Sequence, residues 1–567
     1  MIVVGLGSPF GHDPSAAILV DGKVVAAAEE ERFVRKKHAS GLLPVQALRF
    51  CLEKSGVKPG AVRHVAFPWS FEAYRRGKWG TIRRSLGRPD LIAKILMRGR
   101  WSERMMRRHI HQTLSAVGIS PAEVSVHFVP HHLSHAASAY LFSGFENSAI
   151  LTVDAAGEFT STLFGEGRKG KISVRKEIVS PDSLGVFYTV MTDYLGFERE
   201  DGEYKVMGMA PYGDPSRCDL SRYIRSDATG FRLNERHFRP PRHLRYRPDR
   251  WFSKKMVDHL GPPRDGDDLD EPYIHVAAAT QKMLEAVTLS LVDTYLTEPL
   301  QKYDGRLCFA GGCALNVSLN RKLIEHPLVK RLFVQPAAND AGAPLGAAAY
   351  AAAMQGETIQ PMEHAYLGPS FSNEAIRKHL ETLQVKAEHH NDIEEVTAQL
   401  LAEGKVVAWF QGAMEFGPRA LGDRSILAHP AKKGIADDIN ERIKYREKWR
   451  PFCPSILPEF AREILGTSHP SPYMTLSFKV QEAWKGKIPE VVHVDGTLRP
   501  QIVDPQANPR YYALLQKFYE KTELPVLLNT SLNRRGEPMV CSPEDATTMF
   551  YGSGLDYLVM GNYLLRK

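Results

Sequence analysis

Two stretches of this chain share one pattern, and that pattern limits the fold more than any other feature. Ile2-Val3-Val4-Gly5-Leu6 and Ala16-Ala17-Ile18-Leu19-Val20 are apolar, strand-like runs; Asp21-Gly22 is a two-residue hairpin turn, and Lys23 to Ala28 returns. The order recurs at Ala149 to Gly157, followed by Thr160 to Phe164, a turn from Gly165 to Gly170, and Lys171-Ile172-Ser173-Val174. Helical sequence lies between the two. The recurrence of a strand-turn-strand opening predicts a duplicated α/β domain.

The spacing of these openings is that of the actin-like, sugar-kinase-like ATPase fold. Helices are expected at Leu43 to Lys54 and Ala277 to Leu296. Leu307 to Asn316 and Leu332 to Gly342 each read as a buried strand running into a Gly- or Ala-rich turn and then a helix. Ligands collect at such strand ends because free backbone N–H groups point there. Gly311, Gly312 and Asn316 are therefore candidate nucleotide contacts, although tight packing accounts for the glycine pair on its own. The pattern lapses at 356–362, an expected linker between a domain over 1–355 and a second α/β domain over 363–567. At 567 residues, more than one hydrophobic core is expected.

Composition, 43% hydrophobic and 24% charged, is that of a globular protein, and no apolar run reaches the ~18 residues needed to cross a bilayer. Met1 to Gly5 reads as a first strand and not a secretion signal. The six cysteines form no Cys-x-x-Cys pair or disulfide-like framework, so a reducing cytoplasm is the expected compartment.

The chemistry begins at Pro130-His131-His132-Leu133-Ser134-His135, ahead of a helix-forming stretch. Residues four apart share a helix face, so His131 and His135 can offer two imidazoles to one metal ion. His132 stands where a zinc protease would carry Glu, so that chemistry is not indicated. Asp340 ends a strand and opens an Ala/Gly helix, and Asp154 is read as its counterpart in the repeat. Singly, each Asp reads as a helix N-cap. Together with the histidines they make a mixed N/O set suited to iron(II), manganese or zinc. His12, on the turn between the first two strands, is a candidate general base, with Asp13 or Ser15 to orient it.

The C-terminal part concentrates cations in apolar sequence: Arg419, Arg424, Lys444, Arg446, Arg450 and Arg499. Burying these without anions would be costly, and Arg forks match phosphate oxygens. Asn529 and Ser531, at the end of an apolar strand, add amide and hydroxyl donors. Salt bridges to Glu415, Asp423 and Glu447 are the competing account. No Walker A sequence is present.

The net charge of +8 is uneven. Twelve Lys/Arg between Arg75 and Arg108 face only Asp90 and Glu103, a local +10 that leaves the remainder at −2. Tyr74, Trp79 and Trp101 are interleaved, and a second basic, aromatic stretch runs from His237 to Lys255. The imbalance favours an anionic partner: a phosphate-bearing glycan first, with nucleic acid and a membrane surface left open.

In order along the chain, several blocks resemble the NodU/CmcH family of O-carbamoyltransferases. They are His12-Asp13-x-Ser15-Ala16-Ala17, Ala28-Glu29-Glu30-Glu31-Arg32-Phe33, His131-His132-x-x-His135 and Lys205 to Gly213. Ala310 to Asn316, Gly417-Pro418-Arg419-Ala420-Leu421-Gly422 and Arg450-Pro451-Phe452 complete the set. The resemblance implies an actin-like N-terminal domain similar to tRNA threonylcarbamoyl transferases and a YrdC-like C-terminal domain. It implies that carbamoyl phosphate and ATP (with Mg2+) give carbamoyl-adenylate, whose carbamoyl group then passes to an alcohol at an iron-containing site. Carried over by motif, His131, His135, Asp154 and Asp340 would be metal ligands and His12 the base. Lys444, Arg450, Arg499, Asn529 and Ser531 would hold carbamoyl phosphate and ATP, with Arg419 in the same pocket. One departure is Ala155 after Asp154, where many relatives have Gly. The expected acceptor is a sugar or glycan hydroxyl, such as lipopolysaccharide core, or a secondary metabolite. A tRNA threonylcarbamoyl-type transferase and a non-catalytic actin-like ATPase are the rival functions, and a homo-oligomer is left open.

Overall fold

The computed structural model describes every residue except 8–11, 85–88, 228 and 239–249, and describes the backbone alone at 80–81, 83–84, 89–91 and 93–102. Arg88 and, in the second basic stretch, Arg239, Arg242, Arg245, Tyr246 and Arg247 thus lie outside the described residues, as do the side chains of Arg83, Arg84, Lys94, Arg98, Arg100 and Trp101. The chain forms two compact units, one of Met1–Glu30 and His38–Met362, the other of Glu31–Lys37 and Glu363–Lys567.

The first unit is a duplication. Its opening half contains β1 (Ile2–Leu6), β2 (Ser15–Val20), β3 (Lys23–Glu29), β4 (His64–Phe67) and β5 (Ser125–Phe128), in the sheet order β3-β2-β1-β4-β5. The meander β1-β2-β3 is antiparallel, whereas β4 and β5 add in parallel. The second half contains β6 (Asn147–Val153), β7 (Thr160–Arg168), β8 (Lys171–Val179), the small hairpin β9 (Ile224–Asp227) and β10 (Gly230–Leu233), then β11 (Arg306–Ala310) and β12 (Arg331–Val334). Its main sheet runs β12-β11-β6-β7-β8, the same order with the same strand directions. Two identical five-stranded α/β sheets in one unit are the duplicated actin-like architecture that the two hairpin openings predict.

Helices follow the same repeat. After α1 (Glu31–Val34), the first half carries α2 (Val45–Ser55), α3 (Phe71–Arg84), α4 (Pro89–Ala116) and α5 (His131–Tyr140). The second carries α6 (Leu184–Tyr194), α7 (Glu203–Met209), α8 (Lys254–Leu260), α9 (Tyr273–Lys302), α10 (Val317–Ile324) and α11 (Ala343–Met354). The last helix of each half crosses over: α5 lies on the β6-β11 sheet, α11 lies on the β1-β2-β4 sheet, and the two pack together. Both are small-residue helices, His-His-Leu-Ser-His-Ala-Ala-Ser-Ala-Tyr and Ala-Pro-Leu-Gly-Ala-Ala-Ala-Tyr-Ala-Ala-Ala-Met, because their backbones nearly touch. A Cβ at Gly346 would run into the Ser134 carbonyl, and one at Gly5 into the Pro344 carbonyl.

The second unit is built on one mixed sheet. In chain order its strands are β13 (Glu388–His389), β14 (Val407–Phe410), β15 (Arg424–Ala428), β16 (Cys453–Ile456), the ribbon pair β17 (Phe478–Lys479) and β18 (Thr497–Leu498), β19 (Gln501–Ile502), β20 (Val526–Ser531), β21 (Tyr557–Met560) and β22 (Tyr563–Arg566). The main sheet runs β13-β22-β21-β14-β15-β20-β16-β19. Trp409, Leu401, Tyr511, Leu515 and Phe518 fill its core.

Two boundaries differ from the sequence expectation. Residues 356–362, read as a linker, belong to the first unit: the Gln360 N–H donates to the Gly22 carbonyl (2.9 Å) and the Met362 N–H to the Phe142 carbonyl (3.0 Å). Residues 31–37, read as part of the first domain, belong to the second unit. Phe33 packs with Met414, Ala420, Met539 and Cys541, and the buried Arg32 donates to the Gly417 carbonyl at 3.0 Å. Arg35 donates to the Met539 and Pro538 carbonyls at 2.6 and 2.9 Å.

Gly→Ala in a helix normally stabilises, because it removes backbone freedom from the unfolded chain. At Gly346 the sign should reverse. Gly346→Ala is expected to cost about 2–3 kcal/mol through overpacking, whereas Gly60→Ala, where an added Cβ meets nothing within 4 Å, should stay within about 0.5 kcal/mol. Denaturant unfolding of both variants checks this.

Candidate functional site

The α5 N-terminus carries His131 and His135 one turn apart. Their Nε2 atoms lie 3.0 Å from each other. Asp154, at the end of β6, places Oδ2 at 3.3 Å from His131 Nε2 and 3.0 Å from His135 Nε2. Asp340, in the turn before α11, places Oδ1 at 3.4 and 3.6 Å from the same two nitrogens. All four predicted ligand residues thus converge, with their ligand atoms within 4.8 Å of one another. Donors ~2.1 Å from a tetrahedral ion sit ~3.4 Å apart, so the residues present fit a divalent transition metal. The counterpart of Asp340 in the repeat is His131, since each lies at the entry to its half's crossing helix, Asp340 in the turn before α11 and His131 at the first position of α5. The sequence pairing of Asp340 with Asp154 is corrected accordingly: Asp154 ends the first strand of its half.

The electrostatics make the same demand. Burial works against an imidazolium at His131, but the Asp340 charge and the Asp154 hydrogen bond hold the ring well above its ordinary range. His135 is raised against burial and the His131 charge, through hydrogen bonds with Asp154 and Asp340. Burial pushes the Asp154 carboxyl up, and the His131 and His135 hydrogen bonds bring it far down. Positive charge is drawn to the point where the four groups meet.

Local structure fixes these side chains. Pro130 at the N-cap of α5 has no side-chain cap; instead the Glu158 carboxylate accepts the His131 N–H at 3.2 Å and the Ser70 N–H at 2.5 Å. His131 Nδ1 lies 3.4 Å from the Pro68 carbonyl, which favours a proton on Nδ1 and a free Nε2. Gly157 leaves no room for a Cβ, which would lie 2.7 Å from that of His131. Gly311 (φ +95) and Gly185 pack against the backbone of Val153 and of Asp154, and a Cβ on Gly312 would stand 3.0 Å from Asp154 Oδ1. Asn316 caps α10 by accepting from the Leu319 N–H (2.9 Å) and exchanges two hydrogen bonds with Gln281 (2.9 and 3.0 Å). Of the three predicted nucleotide contacts, Gly311 and Gly312 thus stand against Val153 and Asp154, and Asn316 is engaged with α9 through Gln281. Glu158 was missed, because nothing in a β-turn glutamate announces that it caps a distant helix.

His12 sits in a second cluster of the first unit. Its Nε2 lies 2.7 Å from Glu200 Oε1. Neither neighbour proposed from sequence orients it. Asp13 pairs with His38 Nδ1 (2.8 Å) and accepts from Asn339 Nδ2 (2.6 Å), and Ser15 Oγ donates to the Ala341 carbonyl (2.7 Å).

In the second unit, Lys444 ends a π-helical turn (Ile439–Lys444), and its Nζ is buried. It donates to the Ser531 carbonyl (2.6 Å) and Oγ (3.2 Å), and to the Asn533 carbonyl (3.0 Å) and Oδ1 (2.7 Å). Burial, then the Arg446, Arg450 and Lys37 charges, push this ammonium well below its ordinary range, against the pull of the four acceptors. Asn529, two residues before Ser531 on β20, donates to Ser455 Oγ (3.0 Å) and the Ala420 carbonyl (3.3 Å), beside Arg419. Gln501 Oε1 lies 3.5 Å from Asn529, and Arg499 precedes Gln501 by two residues. Arg450 is held 3.6 Å from Glu447. Arg424 is corrected from an anion-binding candidate to a core residue: it is fully buried over the Phe410 ring (3.8 Å) and donates to backbone carbonyls, that of Pro369 at 3.0 Å among them.

Residues 3–349 match the family model described as Carbamoyltransferase N-terminus, and 398–567 match Carbamoyltransferase C-terminus. The chain belongs to the carbamoyltransferase family. An uncharacterized protein of Synechocystis is 37% identical to this carbamoyltransferase over 99% of this chain and 96% of its own length. Nodulation protein NolNO of Sinorhizobium fredii is 36% identical over 99% of this chain and 80% of its own length. Among solved structures, T. kodakarensis HypF is 11% identical with a TM-score of 0.29, covering 63% of this chain and 48% of that one. No helix among the described residues of the carbamoyltransferase is long and apolar enough to cross a membrane.

Removing a donor from the four-residue cluster should lower divalent-metal affinity by at least about 100-fold for His135→Ala and Asp154→Ala, and about 10-fold for Glu158→Gln, which acts through the helix end. Titration of the metal-stripped protein with Co2+, followed by its visible absorption, measures both.

Proposed function

We propose that this carbamoyltransferase forms carbamoyl-adenylate from ATP (with Mg2+) and carbamoyl phosphate in a YrdC-like second unit. Its actin-like first unit then transfers the carbamoyl group to a hydroxyl of a sugar or glycan. The observation that carries the reading is Lys444, a buried ammonium whose acceptors are all neutral, with Arg446, Arg450 and Lys37 close enough to depress it. Among the described residues it has no carboxylate partner. A buried cation group of this kind is completed by an anion, and phosphate or carbamate oxygens fit it. Arg450, Arg499, Arg419, Asn529 and Ser531 would complete the binding of carbamoyl phosphate and ATP.

The atoms balance with one water: carbamoyl phosphate, ATP, water and an alcohol give a carbamate ester, AMP, pyrophosphate and phosphate. Adenylation supplies a good leaving group, and a closed pocket protects the intermediate from hydrolysis. In the transfer step His12 takes the hydroxyl proton as the oxygen attacks the carbamoyl carbon and AMP departs. His131, His135, Asp154 and Asp340 would hold iron(II) or another divalent transition metal. Such an ion supplies Lewis acidity to the carbamoyl carbonyl or its phosphate. The basic stretch 75–108 favours an acceptor that carries phosphate, and the need for ATP and carbamoyl phosphate places the reaction in the cytoplasm.

A product assay tests the reading. With ATP and carbamoyl phosphate the protein should release pyrophosphate, and with an acceptor alcohol also AMP; ADP and phosphate alone would instead indicate a nucleotide switch. His12→Ala should lose transfer by about 100-fold or more yet keep carbamoyl-phosphate-dependent pyrophosphate release. Lys444→Ala should lose that release by a similar factor.

Because the Lys444 ammonium is depressed in the free protein, anion binding should restore it and take up a proton. That uptake should be largest above the depressed pKa and vanish below it, where Lys444 is already charged. Calorimetry of carbamoyl phosphate binding in two buffers of different ionisation enthalpy, with Lys444→Met as control, reads it directly.

A further inference from the structure

One ring nitrogen of His12 is engaged by a carboxylate. Nε2 lies 2.7 Å from Glu200 Oε1, and among the described residues Nδ1 has no hydrogen-bond partner. Glu200 is itself held from behind. Its N–H donates to Glu203 Oε1 at 3.0 Å, and the same oxygen accepts from Thr189 Oγ1 at 2.8 Å. His38, edge-on to His12 with ring centroids 5.8 Å apart, is paired through Nδ1 with Asp13 at 2.8 Å and through Nε2 with Asp201 at 3.4 Å. Each imidazole in the cluster thus meets a carboxylate.

The backbone marks the same residues. Asp13 (φ +55), His38 (φ +60) and Glu200 (φ +73) come from three separate loops, and all adopt the left-handed conformation that residues other than glycine avoid. Each is a strained conformation, one that persists where side-chain placement matters more than local comfort.

We propose that Glu200 is a positioning residue for His12: it accepts the Nε2–H, fixes that tautomer, and leaves Nδ1 as the atom that takes the acceptor's proton. The inference rests on His12 being the base of the transfer step. The hydroxyl proton moves to Nδ1 while the oxygen's electron pair forms the new C–O bond, and the AMP phosphate oxygen leaves with the pair of the bond it breaks. The imidazolium so formed faces the Glu200 carboxylate, which stabilises the charge as it develops. Glu203 and Thr189 serve Glu200 by holding its loop.

Two measurements on the full chain test this. Proton-coupled 15N spectra of 15N-histidine-labelled protein at pH 8.5, with the His12 signals identified by their loss in His12→Gln, should show Nε2 protonated and Nδ1 bare. Glu200→Gln should convert this to a mixture of tautomers. With glycerol as probe acceptor, Glu200→Gln should lower kcat for carbamate formation about 100-fold, leave KM for glycerol within about twofold, and leave pyrophosphate release unchanged; Glu200→Asp should recover part of the rate. A single unchanged tautomer in Glu200→Gln, or wild-type transfer by that variant while His12→Ala is inactive, overturns the role of Glu200 alone. Undiminished transfer by His12→Ala overturns the reading of the base itself.

Discussion

The near-contact of α5 and α11 is the constraint from which the first unit takes its shape. Each helix closes one half of a duplicated domain yet packs on the other half's sheet, so these two backbones pass each other at the seam between the halves. The seam tolerates no side chain at Gly346 and has room for little more than Ala and Ser along it. Because the N-terminus of α5 and the turn before α11 are thereby fixed relative to each other, His131, His135 and Asp340 arrive at one point from opposite halves. Asp154, delivered by the first strand of the second half, completes the set. A packing solution made of small residues thus locates the polar chemistry.

The two units bury charge of opposite kinds. The His/Asp cluster pairs anionic carboxylates with imidazoles and draws positive charge inward, whereas Lys444 is a cation surrounded by neutral acceptors and further cations. Neither arrangement is a way to gain stability, since the cost of desolvating buried charges can exceed what their partners return. Arg424, equally buried, meets its surroundings differently: both terminal nitrogens donate to backbone carbonyls and the guanidinium lies over an aromatic face, while Nε is left without a partner among the described residues. The contrast between Arg424 and Lys444 separates a cation over an aromatic ring from one that the proposed reaction would use to hold an anion.

Much of this was legible in the residue pattern. The two hairpin openings announced the duplication because an antiparallel meander needs alternation and a tight turn, both visible in sequence. The histidine pair was legible because helix geometry turns a spacing of four into proximity. What sequence could not supply were contacts between loops with no periodicity: Glu158 capping a helix from another strand's turn, Glu200 reaching His12 where Asp13 or Ser15 was expected, and Asn533 beside Lys444. The transfer of residues 31–37 to the second unit was hidden for the same reason, since Phe33 and Arg32 look like the continuation of the preceding strand until their partners are seen. Asp340 was paired with the wrong member of the repeat because strand ends look alike in sequence, while their place in the sheet order does not.

Between β4 and β5 the chain makes a long excursion through α3 and α4, where the matching connection of the other half is the single short helix α10. The excess of positive charge lies almost wholly in that excursion, and the remainder of the chain is nearly neutral. It leaves and rejoins the sheet between adjacent parallel strands and is anchored there by the buried Phe71, Tyr74, Met106, Ile110 and Leu114. The molecule's long-range electric field thus originates in one segment of the chain, apart from the buried charges of the two clusters.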